Sequence, residues 1–308
     1  MNWGRRVALP LAALLLAGLG AARERAPAGA EAAQVALGRR LFYDADLSLD
    51  GSMACATCHV QRHGFADSTR TRAGVTGEPG RRNVPGLANV GRRASLTWGD
   101  ATLRTLEAQA LVPLQGEHPV EMGMKGQDGE LARRLGANGC YVRLFRAGFP
   151  EVDGRIDMAT VTRALGTFQR SLLSADAPVD CARGNDTAGT RLFRRHCATC
   201  HSGPDMTDDR FHRVDGIHAA DRGLGEISGR ARDDGRFRTP SLRNVAVSAP
   251  YFHDGASPTL ADAIRRHRGL RLDEEEVTAL VDHLGGFTDP TFLADPRFAY
   301  PDGPCEAG

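Results

Sequence analysis

One five-residue sequence occurs twice in the chain, and the two copies constrain its fold more than any other feature. Cys-Ala-Thr-Cys-His stands at residues 55–59 and again at 197–201, 142 positions later. In each copy two thiols lie one helical turn apart and a histidine follows the second thiol. Two such thiols can add to the vinyl groups of one porphyrin while the histidine binds its iron, which is the attachment signature of a c-type haem. We therefore predict two covalently bound haems c, held by Cys55, Cys58 and His59 and by Cys197, Cys200 and His201.

The Cys-x-x-Cys pairs have two alternative interpretations, a zinc ribbon and a thioredoxin-type redox site. Neither alternative gives a reason for a histidine to follow the second cysteine in both copies. Three cysteines remain, namely Cys140, Cys181 and Cys305. Two of them can pair in an oxidising compartment, and the sequence leaves open which two.

The start of the chain predicts export. Residues 1–22 have the form of a secretory signal peptide, with Arg5 and Arg6, then an apolar stretch and a small-residue cleavage site. A membrane anchor is the alternative, but the apolar stretch is shorter than the roughly 20 residues of a membrane span. We expect a periplasmic protein with no membrane span after cleavage. The net charge of +1 gives no indication of nucleic-acid binding.

Hydrophobic periodicity predicts a mainly α fold. Because each half of the chain carries one pentad, we expect two cytochrome-c-like haem domains joined by long ordered loops. We expect Asp100 to cap the second helix and Pro113 to end it, and Ser257 to cap the sixth. A linker at 174–186 suggests an N-terminal haem domain at 23–180 and a C-terminal one at 181–308. The predicted helices are 31–43, 101–112, 128–146, 157–175, 187–196, 259–268 and 273–284.

Seven strings in order give the chain a family resemblance from about residue 35 to 297. The chain resembles the bacterial dihaem cytochrome c peroxidase and MauG superfamily. Within it, LTWGDATLRTLEAQALVPLQGEHPVEMG is most similar to the MbnH group. The strings are LGRRLFYDADLSLDGSMACATCH, GRRNVPGLANV, LEAQALVPL, HPVEMG, CATCHSG, RFRTPSLRNVAVSAPYFHDG and TLADAIRRH.

For the first haem the resemblance implies an open, high-spin, peroxide-reactive iron on His59. Glu121 would move protons beside it, and Gln109 and Pro113 would line the same pocket. A carboxylate can carry a proton from one peroxide oxygen to the other, although most glutamates are simply solvated. Peroxidase members carry a blocking histidine in the loop before the Arg-Asn pair. Val75 stands at that position here, so we expect an iron that is open at rest.

For the second haem the resemblance implies a low-spin iron on His201 with His267 as second axial ligand. His267 lies fourteen residues after His253, where peroxidase members have Met and MauG has Tyr. Helical spacing puts Leu260 and Ile264 on the same stripe. In the alternative interpretation, His267 is held at the C-terminus of its helix by the helix dipole. His253 would then be the second axial ligand.

Two further sets of residues follow from the resemblance. Trp98 would lie between the haems and carry charge from one iron to the other, where the alternative is an ordinary core tryptophan. Many members also hold Ca²⁺ between the haems. Its ligands would be the Asn83 side chain and the Ser248 and Pro250 carbonyls, and oxygen ligands suit this ion.

The function implied by the resemblance is a haem-dependent, peroxidase-type oxidation of another protein. Hydrogen peroxide would form a high-valent dihaem state that oxidises a partner residue, a Trp converted to kynurenine. The partner would be an MbnP-like copper-binding protein. One alternative is a peroxidase that takes electrons from a small cytochrome c or cupredoxin. Another is a dihaem electron carrier without catalysis.

Overall fold

The computed structural model of the chain describes residue 1 and residues 28–181, 186–213 and 220–302. The predicted signal peptide lies outside the described residues, apart from Met1, and so does Cys305. Cys140 is disulfide-bonded and Cys181 is a free, exposed thiol. Within the described ranges, no helix is both long enough and apolar enough to cross a membrane.

The described residues are mainly helical, as the sequence predicted. Two very short strands, β1 (Phe211–His212) and β2 (Phe237–Arg238), pair antiparallel, with Phe211 opposite Arg238. Single turns of 3-10 helix lie between the α-helices. The helices are α1 (Ala28–Phe42), α2 (Cys55–Cys58), α3 (Leu106–Gln115), α4 (Asp128–Gly136), α5 (Gly139–Gly148), α6 (Met158–Ser171), α7 (Pro178–Cys181), α8 (Ala188–His196), α9 (Leu224–Ser228), α10 (Leu260–Arg266), α11 (Glu274–Gly285) and α12 (Pro290–Ala294).

The predicted bounds of the second helix were wrong at both ends. The helix α3 begins later because Thr105 caps it, accepting a hydrogen bond from the Ala108 N–H at 3.3 Å. Asp100 instead accepts from the Thr102 N–H at 2.7 Å in the preceding turn. Pro113 lies inside α3, where it removes only the one hydrogen bond that its N–H would give to the carbonyl four residues earlier.

Two other boundaries also differ from prediction. The helix expected over 128–146 is two helices, since the chain breaks at residues 137–138 and Asn138 caps α5 by accepting from the Cys140 N–H at 2.9 Å. The cap of α10 is Thr259, which accepts from the Asp262 N–H at 3.1 Å, and Ser257 lies before it. The helix α12 was not predicted.

Buried apolar side chains form two clusters. The first lies where α1 packs along α6, and Gly38 permits this close approach because a Cβ there would lie 2.0 Å from the Ala164 carbonyl oxygen. The second joins α8, α10 and α11. Phe292 and Phe298 return to the first cluster from the end of the chain. The division into domains at 180/181 therefore stays a prediction.

Candidate functional site

The first pentad forms the one-turn helix α2, followed by His59. The His59 Nδ1 lies 2.7 Å from the carbonyl oxygen of Phe65. Because a carbonyl can only accept, Nδ1 carries the proton and Nε2 keeps the lone pair that a metal needs. The Phe42 ring packs next to His59 at 6.3 Å between centroids.

Glu121 lies close to the two thiols of this pentad. Burial raises the pKa of Cys55 to about 12 and that of Cys58 to about 11, and the Glu121 carboxylate adds to both increases. Burial also raises the pKa of Glu121 itself. A half-buried carboxylate with a raised pKa therefore lies beside the first pentad.

Neighbouring chain segments hold Glu121 in place. Its carbonyl accepts from the Val75 N–H at 2.8 Å, and the next N–H, that of Met122, donates to the Pro113 carbonyl at 2.9 Å. Gly74 lies so close that a Cβ there would be 1.9 Å from the Val120 carbonyl oxygen. The structure thus brings Val75, Pro113 and Glu121 together, with Gln109 one helical turn before Pro113.

At the second pentad two imidazoles face each other. The ring centroids of His201 and His267 lie 6.5 Å apart. Metal–imidazole bonds are about 2 Å long, so rings on opposite sides of one metal atom have centroids about 6 to 6.5 Å apart. His201 Nδ1 lies 3.1 Å from the Met206 carbonyl oxygen, and His267 Nδ1 lies 2.8 Å from that of Ala263. Each ring therefore carries its proton on Nδ1, and its Nε2 keeps the lone pair that a metal needs.

Burial favours the neutral form of His201. Burial, followed by the proximity of His267, lowers the pKa of His201 to about 4. A metal-binding imidazole must be neutral, so the environment favours ligation over protonation.

The second pentad opens into a cavity of about 450 Å³, which lies in the range of cofactor sites. Its wall includes Leu260, Ile264 and His267, the stripe predicted from helical spacing. Arg93 also lines it, and the buried Arg93 Nη1 has no hydrogen-bond partner among the described residues. Burial, followed by the charge of Arg93, lowers the pKa of Arg238 to about 10.

These observations fit a bound haem. The cavity has cysteines for thioether bonds, two imidazoles whose Nδ1 atoms are held by carbonyls, and two buried guanidinium groups. Within the described part of the chain, Asp209 is the one acidic residue paired with both, at 3.9 Å from Arg93 and 3.2 Å from Arg238. A haem carries two anionic propionates, so a buried excess of positive charge on the wall matches it.

Trp98 and the three predicted calcium ligands share the wall of this cavity. The Trp98 indole is 9% exposed, and its Nε1 donates to the Asn83 carbonyl at 2.8 Å. The Asn83 Nδ2 donates to the carbonyls of Thr69 and Arg70 at 3.2 and 3.3 Å, which leaves Oδ1 as its accepting end. Ser248 and Pro250 lie on the same wall.

The comparisons with known proteins agree with this geometry. The family model for di-haem cytochrome c peroxidase matches residues 32–188. The chain is 37% identical over 247 residues to the methylamine utilization protein MauG of Methylorubrum extorquens, covering 76% of this chain and 68% of that protein. This chain belongs to the di-haem cytochrome c peroxidase family.

Other matches lie on both branches of the family. The cytochrome c peroxidase Ccp of Escherichia coli is 33% identical over 275 residues, which is 82% of this chain and 58% of that protein. A crystal structure of a MauG-like protein associated with microbial copper homeostasis superposes with a TM-score of 0.82 at 33% identity, covering 87% of this chain and 93% of that one. Family membership makes the chain a haem-dependent, peroxidase-type oxidoreductase with haem c cofactors.

Two further histidines, His253 and His63, line the same cavity. The His253 ring is buried and stacks on Phe237 at 3.5 Å between centroids, whereas His267 is the ring that faces His201. His63 lies on the same cavity wall with its Nδ1 3.0 Å from the Val247 carbonyl oxygen.

Sequence reasoning missed several functional groups of this dihaem enzyme. The carbonyls that orient the three imidazoles belong to Phe65, Met206 and Ala263, and a main-chain acceptor leaves no mark in a sequence. Arg93 and Arg238 were not singled out, since arginine is abundant in both long loops. Arg238 lies within one of the family-like strings, which was a usable signal, whereas Arg93 lies between two of those strings and had none.

Proposed function

We propose that this enzyme uses hydrogen peroxide to oxidise a side chain of a partner protein, with one haem site open and the other closed. The asymmetry between the sites carries the proposal. His267 faces His201 across the second site. Beside Glu121 at the first site stands Val75, whose side chain has no atom that can bind iron.

The residues would divide the work as follows. His59 would hold the first iron through Nε2, and His201 and His267 would hold the second in the same way. When bound, the two haems supply peroxide reduction and storage of the two oxidising equivalents. The Glu121 carboxylate would accept a proton from one peroxide oxygen and return it to the other oxygen, which leaves as water. Gln109 and Pro113 restrict the space around that oxygen.

Trp98 would connect the two sites. Its ring lines the second cavity and is fixed by the hydrogen bond to Asn83, so its position is set by the same residue that would bind Ca²⁺. The Asn83 Oδ1, with the Ser248 and Pro250 carbonyls, supplies the oxygen atoms that this ion prefers. We propose that Ca²⁺ stiffens this wall and thereby holds the Trp98 ring.

The substrate proposed is a tryptophan of an MbnP-like copper-binding protein in the periplasm, oxidised to kynurenine. The MbnH-like segment supports it, as does the likeness to a MauG-like protein associated with microbial copper homeostasis. The test is incubation of the holoprotein with the partner and peroxide, followed by peptide mass spectrometry. We expect a modified partner tryptophan only when peroxide is present. An unmodified partner would contradict the proposal.

The cytochrome c peroxidases among the relatives favour a second candidate, peroxide reduction with electrons from a small cytochrome c or cupredoxin. Such an enzyme sustains fast turnover with a reduced donor. The proposed protein-modifying enzyme does not, so a steady-state assay with both donor types separates the two. A dihaem carrier without catalysis would leave peroxide unreacted.

A further inference from the structure

We propose that Tyr300 is an oxidation site on the surface of this enzyme, connected to the first haem site through Phe42 and Tyr43. In the absence of a partner, surplus oxidising equivalents would leave the protein by this route. The inference rests on the proposed reaction with peroxide. It adds a second route by which oxidising equivalents leave the enzyme.

A continuous series of aromatic contacts leads from the first site to the surface. The ring centroids of His59 and Phe42 are 6.3 Å apart, those of Phe42 and Tyr43 are 5.5 Å apart, and those of Tyr43 and Tyr300 are 5.7 Å apart. All three lie in the 4.5–7 Å range of interacting aromatic rings. The series starts at the residue proposed as proximal ligand and ends at a side chain that is 59% exposed.

Hydrogen bonds fix the outer end of the series against α1. The Tyr43 hydroxyl donates to the Phe298 carbonyl at 2.8 Å. Arg39, one turn earlier on α1, donates from Nε to the Ala299 carbonyl at 2.7 Å and from Nη2 to the Tyr300 carbonyl at 3.3 Å. Three bonds therefore hold the segment that carries Tyr300, and the contact with Tyr43 is not a chance approach of a loose terminus.

The two tyrosines differ in where their protons can go. The Tyr43 hydroxyl faces a carbonyl oxygen, which cannot take up a proton, and burial raises the pKa of Tyr43 to about 12. Tyr43 therefore gives an electron to the first haem site and takes one from Tyr300, so it does not remain the oxidised residue. Water can accept the phenolic proton of the exposed Tyr300, so the neutral radical forms there. Phe42 is not oxidised and only bridges the gap.

The proposed chemistry balances for a pair of molecules. One hydrogen peroxide takes two electrons and two protons, one of each from two Tyr300 phenols, and gives two molecules of water. Two Tyr300 radicals on different molecules then join through a bond between ring carbons. The product is a dityrosine cross-link, formed with peroxide as the only oxidant.

The test uses the holoprotein with peroxide and no partner. We expect dityrosine fluorescence, a covalent dimer on a denaturing gel, and a cross-linked peptide that contains Tyr300. Tyr300→Phe should lose all three signals. Tyr43→Phe keeps a ring in the contact series but no oxidisable phenol, so it should leave Tyr300 unmodified. Tyr141→Phe is the matched control and should retain the cross-link, because the Tyr141 ring packs against Phe145 and makes none of the three ring contacts of the series; its hydroxyl bonds to the Asp44 carboxylate.

The haem absorption spectrum separates failure of this inference from failure of the proposed function. A spectral change on adding peroxide with Tyr300 unmodified would overturn the inference and leave the proposed function standing. Cross-linking of Tyr43→Phe at the wild-type level would also overturn it. No spectral change at all would remove the proposed function and this inference with it. In Tyr300→Phe the peroxide-induced spectrum should persist longer than in the wild type, because the oxidising equivalents can no longer leave through Tyr300.

Discussion

At the scale of single residues, the two pentads and the family resemblance predicted which imidazoles could bind iron. Main-chain carbonyls determine which nitrogen of each ring carries the proton. His59, His201 and His267 each direct Nδ1 at a carbonyl oxygen, so Nε2 carries the lone pair. His59 and His201 could be read from the sequence because covalent attachment needs a fixed spacing, whereas His267 followed from the family resemblance. The carbonyls could not, because any residue supplies one and only the fold selects it.

Replacing His267 tests whether it closes the second site. In His267→Ala the second iron should lose an axial ligand, so the low-spin signal should convert to high-spin and the site should bind added cyanide or azide. Arg265→Ala, on the same helix α10 and exposed, is the control and should keep the low-spin spectrum. Retention of the low-spin signal in His267→Ala would show that another group ligates the iron.

Replacing Glu121 tests the proton-transfer role. Glu121→Gln cannot accept a proton, so the reaction with peroxide should slow by about 10²- to 10⁴-fold in stopped-flow measurements. Burial raises the pKa of Glu121, and the carboxylate is the active form. The wild-type rate should therefore fall as the pH falls through that raised pKa, at a higher pH than for an exposed glutamate. The variant should lack this dependence, and Glu117→Gln, an exposed residue nearby, should keep it.

At the scale of elements, local signals located most helices but not all of their ends. Asp100 and Thr105 are both good capping residues, and propensity alone could not choose between them. Thr105 caps α3 in a helix that runs on to Gln115, and Pro113 within it provides the carbonyl that holds Met122. A proline inside a helix is normally a stop signal, so the tertiary contact overrides the local rule here.

The contact between the Val75 loop and the Glu121 segment gives a prediction at this scale. Gly74→Ala would put a Cβ 1.9 Å from the Val120 carbonyl oxygen, so one of the two segments must move. We expect a loss of about 1–3 kcal/mol in the free energy of unfolding and a slower peroxide reaction. Gly129→Ala has nothing within 4 Å of the added Cβ and is the control. Equal behaviour of the two variants in thermal melts and stopped-flow would contradict the proposed clamp.

At the scale of the whole molecule, Trp98 lies in the wall of the second cavity, and we propose that this wall links the two sites. The Arg238 N–H donates to the Trp98 carbonyl at 2.9 Å, which ties this segment to the strand β2. The sequence predicted the two sites and the long loops, but not how the loops lie. Those loops are held by buried Arg and Asn contacts between distant segments, and such contacts have no periodicity to read.

Replacing Trp98 tests the proposed coupling of the sites. Trp98→Phe keeps an aromatic ring but loses the hydrogen bond to Asn83 and the readily oxidised indole. The first site should still react with peroxide, while oxidation of the partner protein should be lost. Mass spectrometry of the partner and stopped-flow absorption of the enzyme measure the two effects separately. Wild-type partner oxidation in this variant would exclude Trp98 from the route.

We propose that one site is open at rest and that the other is closed by two imidazoles. Electron paramagnetic resonance of the resting ferric holoprotein distinguishes an open site from a closed one. We expect one high-spin signal from the haem on His59 and one low-spin signal typical of two axial histidines from the haem on His201 and His267. Two low-spin signals would contradict it, because they would mean that the first iron is already occupied on both sides.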